Sequence, residues 1–284
     1  MKFALPIIAL SLLVSSCSNK PATEAPKAAP SWEIDFFDDF NTFNSDNWQD
    51  QILWVNNEDQ CYVPNNEYGT REVSNGTIKI KVVDIGEKRP CTNTDKTGKQ
   101  HHDTQYVAGR IATKNLQEFV KGKWTARLRV VGNSKSGMFP AWWLLGAMND
   151  EPPVQEENEN VCWPMTGSGE IDIFEHHSDG GPDHYAARSI KNLGHCDGGD
   201  WQALMLVLET SIDEYHDYSV EWSGIDLIFR LDGKEVYRNN NETDQFPEPL
   251  FAILNFAKIN DSAMTGTWVM EVDWVKHERL KEQP

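Results

Sequence analysis

Basic side chains are scarce in this 284-residue chain: 26 Lys and Arg stand against 44 Asp and Glu, a formal net charge of −18. A surface of that sign repels phosphate backbones, which excludes nucleic acid as a partner and favours neutral or cationic ligands. Long hydrophobic runs are also lacking. The longest, Phe3 to Val14, is too short to span a bilayer, which takes about 20 residues. No Cys-x-x-Cys pair occurs among the five cysteines, so their spacing does not argue for zinc. Beyond Trp32 there is no internal repeat, no second Pro-rich linker and little helical periodicity, which argues against a multidomain or helical protein.

The short apolar run follows Lys2 and precedes Ser15, Ser16 and Cys17, the order of a cleavable signal segment. Cysteine after "VSS" resembles the bacterial lipobox, which implies that residues 1–17 are a lipoprotein signal whose Cys17 is lipidated. Ser18 and Asn19 carry no Asp retention signal, so the expected location is the cell envelope, anchored by lipid to the outer membrane. That anchor is the expected membrane contact. Residues 18–31, rich in Pro and Ala, read as an extended tether, and residues 32–284 as one domain and a monomer. Four cysteines remain: Cys61, Cys91, Cys162 and Cys196. An even number in an exported chain points to disulfides with three connectivities open; sequence proximity favours Cys61–Cys91 and Cys162–Cys196.

Short alternating runs dominate the domain. "TIKIKVVD" (77–84) and "KWTARLRVV" (123–131) alternate apolar and polar residues, and Asp232-Gly233 joins "LIFRL" to "EVYR" as a hairpin turn. "FAILNFA" (251–257) and "TWVMEVDWVKHERL" (267–280) add strands, whereas "DWQALMLVLETS" (200–211) reads as the one plausible helix. This pattern predicts an all-β sandwich of two antiparallel sheets. The 11 Trp suit stacking on sugar faces, although a core of this size absorbs about half of them.

One strand-like run, "GEIDIFEH" (169–176), holds three carboxylates. Alternation puts Glu170 and Asp172 on one face and Ile171 and Ile173 on the other, but Glu175, five positions after Glu170, would fall on the wrong face. A β-bulge near Ile173–Phe174 returns it. Three like charges on a central strand cost stability, on the order of a few kcal/mol, because repulsion and desolvation oppose ionisation. Glycoside hydrolysis uses such a set: one ionised and one protonated carboxyl group, about 5–5.5 Å apart in retaining enzymes. The two Glu, with Cα atoms roughly 13 Å apart, could converge by reaching toward each other.

The run resembles the E-x-D-x-x-E signature of glycoside hydrolase family 16, in the bulged form of laminarinases, agarases and carrageenases. "YVAGRIATK" (106–114), "FPAWWLLG" (139–146), "CWPMTGSGEIDI" (162–173), "YHDYSVEW" (215–222) and "VDWVKHERL" (272–280) are similar to family segments along most of the domain. The resemblance implies a jelly-roll sandwich with a concave cleft, Glu170 as nucleophile, Asp172 as assisting carboxylate and Glu175 as acid/base. "NNEDQCY" (56–62) is similar to the laminarinase segment N-N-E-x-Q-x-Y, which implies an endo-acting hydrolase of β-1,3-glucan or mixed-linkage β-glucan. Asn57, Glu58, Arg110, Trp143 and Trp163 are the candidate cleft residues; of the Trp142–Trp143 pair, alternation lets one face the sugar, and the family pattern selects Trp143. His176 and His184 are further candidates for substrate contact. No cofactor is required; a structural calcium ion at Asp273 is the one metal the resemblance allows. The alternatives are a galactan hydrolase of the same family and a noncatalytic glycan-binding lipoprotein. The chain departs from the family pattern at Cys61, at "ILNFAKIND" (253–261) and in its inserts at 85–105 and 149–162, the second strongly acidic.

Overall fold

The computed structural model describes residues 31–132, 137–178, 181–191, 194–196, 200–240, 246–259 and 263–281. Cys17, the signal segment and the tether up to residue 30 lie outside the described residues. Trp32–Pro284 clusters as one unit, and the described part of it is built from strands and one short 3-10 turn.

The first strands are β1 (Trp32–Asp38), β2 (Gln49–Asp50), β3 (Cys61–Tyr62), β4 (Arg71–Ser74), β5 (Thr77–Arg89) and β6 (Thr104–Ala108). Next come β7 (Arg110–Ala112), β8 (Glu118–Phe119), β9 (Gly122–Val131), β10 (Met138–Gly146), β11 (Glu170–Glu175) and β12 (His184–Lys191). The last are β13 (Asp200–Val207), β14 (His216–Trp222), β15 (Leu227–Leu231), β16 (Lys234–Asn239), β17 (Leu250–Lys258) and β18 (Val269–Leu280).

They form two sheets. One runs β16-β15-β14-β9-β18-β5-β6-β3, with β1 on β18 and β4 on β5; the other runs β13-β12-β11-β10-β17-β7-β2, with β8 on β17. Every named strand pair is antiparallel except β3 with β6. In the first sheet Ile78, Ile80 and Val82 of β5 and Trp124, Ala126, Leu128 and Val130 of β9 all point inward, as their alternation predicts. They meet Trp142, Leu144, Ile171, Ile173 and Leu254 of the second sheet in one core. Asp232 and Gly233 both take positive φ (50° and 77°), the conformation that a two-residue hairpin demands.

Strand β17 is buried on both faces because the second sheet is also covered outside: Phe251 and Ile253 pack with Ala112, Leu145, Trp143 and Trp163. Its apolar run without alternation therefore belongs to a central strand whose outer face floors a cavity.

The helix expected over 200–211 is not formed. Residues 200–207 are β13, which pairs along the whole of β12, from His184↔Val207 to Lys191↔Asp200. Met205 and Val207 are exposed while Leu206 packs on the core, so the period is two. An unbroken apolar run carries no period of its own, and the partner strand decided it. Disulfides join Cys61 to Cys91 and Cys162 to Cys196.

Candidate active site

On β11 the register shows the bulge. Against β10, Trp142 faces Phe174 and Trp143 faces Asp172, so Ile173 has no opposite number. Against β12, Asp172 faces Arg188 and Glu175 faces Ala186, three residues opposite two. Ile173 and Phe174 both enter the core, and Glu175 returns to the side of Glu170 and Asp172. The apolar residues hold the strand in place, and the extra residue aims the last carboxylate.

All three carboxylates line a cavity of about 640 Å³ that extends from β11 across β10 and β17 to β7. Burial raises the pKa of each. Glu170 is pushed up to about 8 by burial and then by the charge of Glu175; its hydrogen bond with Asp172 and the charge of Arg188 oppose this. Asp172 lies well above the usual carboxylate range through burial and the neighbouring Glu170. Glu175 does too, through burial and then Asp172. Such a coupled set does not carry three full charges at neutral pH, so ionised and protonated carboxyl groups coexist. Arg188, which sequence reasoning missed, reaches across from β12: its Nε lies 3.5 Å from Asp172 Oδ2 and in direct contact with Glu175.

The cavity wall beyond β10 is a hydrogen-bonded network. Trp143 lines the cavity, and its Nε1 donates to Asn255 Oδ1 (2.7 Å), whose Nδ2 donates to Tyr62 Oη (3.2 Å). Trp142 is fully buried against Trp124. Arg110 lies 5.0 Å over the Trp143 ring and donates to Gln51 Oε1 (2.7 Å) and Glu151 Oε2 (2.6 Å). Glu58, also in the wall, is raised to about 7 by burial, against the opposing charge of Arg110 and the hydrogen bond from Gln60. Trp163 also lines the cavity. Gln51, Glu151 and Asn255 sit outside the motifs above that named site residues, Tyr62 closes one of them without having been named, and their convergence depends on strand order.

Both inserts reach this cavity. Cys91 tethers the first to Cys61, and its residues Thr94, Asp95, Lys96 and Thr97 form part of the lining. In the second, Asn149 to Pro152 line the cavity, held by the buried Lys114, whose Nζ donates to Asn149 O (2.7 Å) and also bonds Glu151 O.

Four candidates fall elsewhere. Asn57 is exposed in a turn at φ 53°, and Asn56 lines the cavity in its place, because the turn rotates the pair. His176 is fully buried, its Nδ1 bonded to His184 O (2.9 Å) and its ring 6.0 Å from Trp268; burial lowers its pKa to about 4 and keeps it neutral. His184 packs beside it, ring centroids 5.0 Å apart, and neither histidine lines the cavity. Asp273 faces Arg127 Nε at 3.4 Å, and among the described residues no three His, Cys, Asp or Glu side chains gather as metal ligands.

Residues 57–276 match the family Glycosyl hydrolases family 16, and the chain belongs to that family. The beta-glucanase of Rhodothermus marinus is 25% identical over 264 residues, 87% of this chain and 82% of that protein. Glucan endo-1,3-beta-glucosidase A1 of Niallia circulans is 25% identical over 240 residues; these are 78% of this chain but only 33% of that protein's length. The catalytic domain of an endo-1,3-beta-glucanase (laminarinase) from Thermotoga petrophila superposes with a TM-score of 0.70 at 20% identity, covering 89% of this chain and 100% of that one. LamA from Zobellia galactanivorans, in complex with laminaritriose and laminaritetraose, gives a TM-score of 0.70 at 26% identity over 87% of this chain and 98% of that one.

Proposed function

We propose that the protein is a retaining, endo-acting glycoside hydrolase of β-linked glucan, with β-1,3-glucan as its leading substrate and mixed-linkage glucan next. The observation that carries this reading is the bulged strand, which brings three carboxylates with raised pKa values into one cavity beside Trp143 and Trp163. Membership of the family and the names of its relatives support it.

Glu170 attacks the anomeric carbon, the glycosidic C–O bond breaks, and Glu175 gives its proton to the departing oxygen. Water then adds to the anomeric carbon and gives a proton to the ionised Glu175. The ester to Glu170 breaks, and the product keeps its configuration. Asp172, hydrogen-bonded to Glu170, keeps the nucleophile oriented and its charge shared.

The lining bears on the substrate. Glu58, Asp95, Asp150, Glu151, Glu170, Asp172 and Glu175 outnumber Lys96 and Arg110, and Arg110 is already paired with Glu151. An acidic cavity of this kind favours neutral glucan over a sulfated galactan. A noncatalytic binder has no use for two converging glutamates. We place the protein on the outer membrane of a bacterial envelope, held by lipid at Cys17.

Laminarin, mixed-linkage glucan, agarose and carrageenan, each incubated with the domain and resolved by chromatography, test the reading. Oligosaccharides from laminarin are expected first; products from agarose or carrageenan alone would overturn the substrate assignment, and none from any polymer would overturn the activity.

A further inference from the structure

The mechanism above gives no role to the charged side chain that contacts the acid/base. Arg188 sits on β12 directly opposite Asp172. Its guanidinium contacts Glu175 and lies 3.5 Å from Asp172, yet it does not line the cavity. It therefore stands beside the acid/base on the neighbouring strand, outside the cavity lining. We propose that Arg188 is a positioning residue that pins Glu175 and favours its carboxylate form, so that Glu175 gives up its proton in the first half-reaction and stays ready as a base in the second. This rests on the roles assigned to Glu170 and Glu175 above.

The surroundings make Arg188 decisive. Asp172 and Glu170, on the same strand, oppose ionisation of Glu175 through charge or sit beside it as further acids. From β10 the site receives Phe139, Ala141 and Trp143, none charged. Glu151, from the second insert, adds negative charge that acts on Glu170. His176, the next residue on the chain, is kept neutral by burial, and His177 packs on Phe139. Across the cavity Arg110 is committed to Glu151 and Gln51. Among the described residues, Arg188 is thus the cation in contact with the acid/base. When Glu170 becomes an ester its negative charge disappears, the repulsion on Glu175 falls, and Arg188 holds the carboxylate that must take the proton from water.

The charge of Arg188 lowers the pKa of Glu170, Asp172 and Glu175 alike. Its removal therefore moves both limbs of the pH profile upward: the acid limb, where Glu170 must ionise, and the basic limb, where Glu175 must keep its proton. For Arg188→Gln and Arg188→Met, kcat/KM on laminarin measured against pH is expected to shift to higher pH by about one unit or more. Arg188→Lys, which keeps the charge, is expected to return the limbs toward wild type. Arg188→Gln retains a planar donor for Glu175 and carries the test if Arg188→Met does not fold. Limbs that stay in place while Tm falls would reduce Arg188 to a packing residue and overturn the inference, as would a Lys variant shifted as far as the Met variant. A wild type that turns over laminarin no faster than Glu175→Gln would instead overturn the underlying roles, a separate result.

Discussion

On the outer face of the ten-stranded sheet Glu271 meets Arg129 at 2.8 Å, Asp217 meets Arg127 at 3.0 Å and Glu278 meets Lys123 at 2.9 Å. On the eight-stranded sheet Glu170, Asp172 and Glu175 share Arg188. Both faces present carboxylates on antiparallel strands. On the first, each acid has a basic partner on a neighbouring strand, and Glu271 and Asp217 keep access to water, so ionisation is favoured and repulsion is small. On the second, burial and under-neutralisation keep protons on carboxyl groups at neutral pH. Such an arrangement costs stability, and it is retained where proton transfer needs it.

The largest effect that separates the faces is on activity. Glu170→Gln and Glu175→Gln are each expected to lower hydrolysis of laminarin by about a thousandfold or more, while Tm stays level or rises as repulsion is relieved. A reducing-end assay beside a thermal melt reads both, and a fall in Tm of several degrees without loss of rate would place these residues in the architecture.

A smaller effect is expected from pH. Burial pushes Glu170 up to about 8 in the folded protein, against about 4.3 when unfolded, so between those values the native state holds the extra proton. The stability this gives is full below the unfolded value and is lost as pH rises through the folded one. Denaturation in urea should therefore show the protein weakening by about 1–3 kcal/mol from pH 5 to pH 8, and Glu170→Gln should flatten that slope. An equal slope in the variant would mean that the cavity carboxylates ionise freely.

The smallest effect belongs to the outer face. Arg127→Ala and Arg129→Ala should each cost less than about 1 kcal/mol, and less again in high salt. A larger, salt-resistant loss would remove the contrast between the two faces.

Much of the active strand was legible in the sequence because it breaks a strict period. Alternation of two accounts for Glu170 and Asp172, and the three-residue step to Glu175 requires one extra residue, found at Ile173. For Trp143, alternation left one of the Trp142–Trp143 pair to the open face and the family resemblance chose which; Trp142 faces the core. The histidines were not. "HH" at 176–177 carries no period, and His176 turned into the core against His184 and Trp268. Arg188 was invisible because its place depends on which residue of β12 lies opposite Asp172, and that register is set by pairing across a loop.

Local alternation by itself thus determined the sheet class, the bulge and the carboxylates on its open face, since side-chain direction along a strand follows from backbone geometry. Tertiary structure alone decided that 200–207 is a strand, that Gln51, Tyr62, Glu151 and Asn255 converge on Arg110 and Trp143, and that Arg188 contacts Glu175. Those contacts join residues far apart in the chain, and no local preference specifies which strands become neighbours.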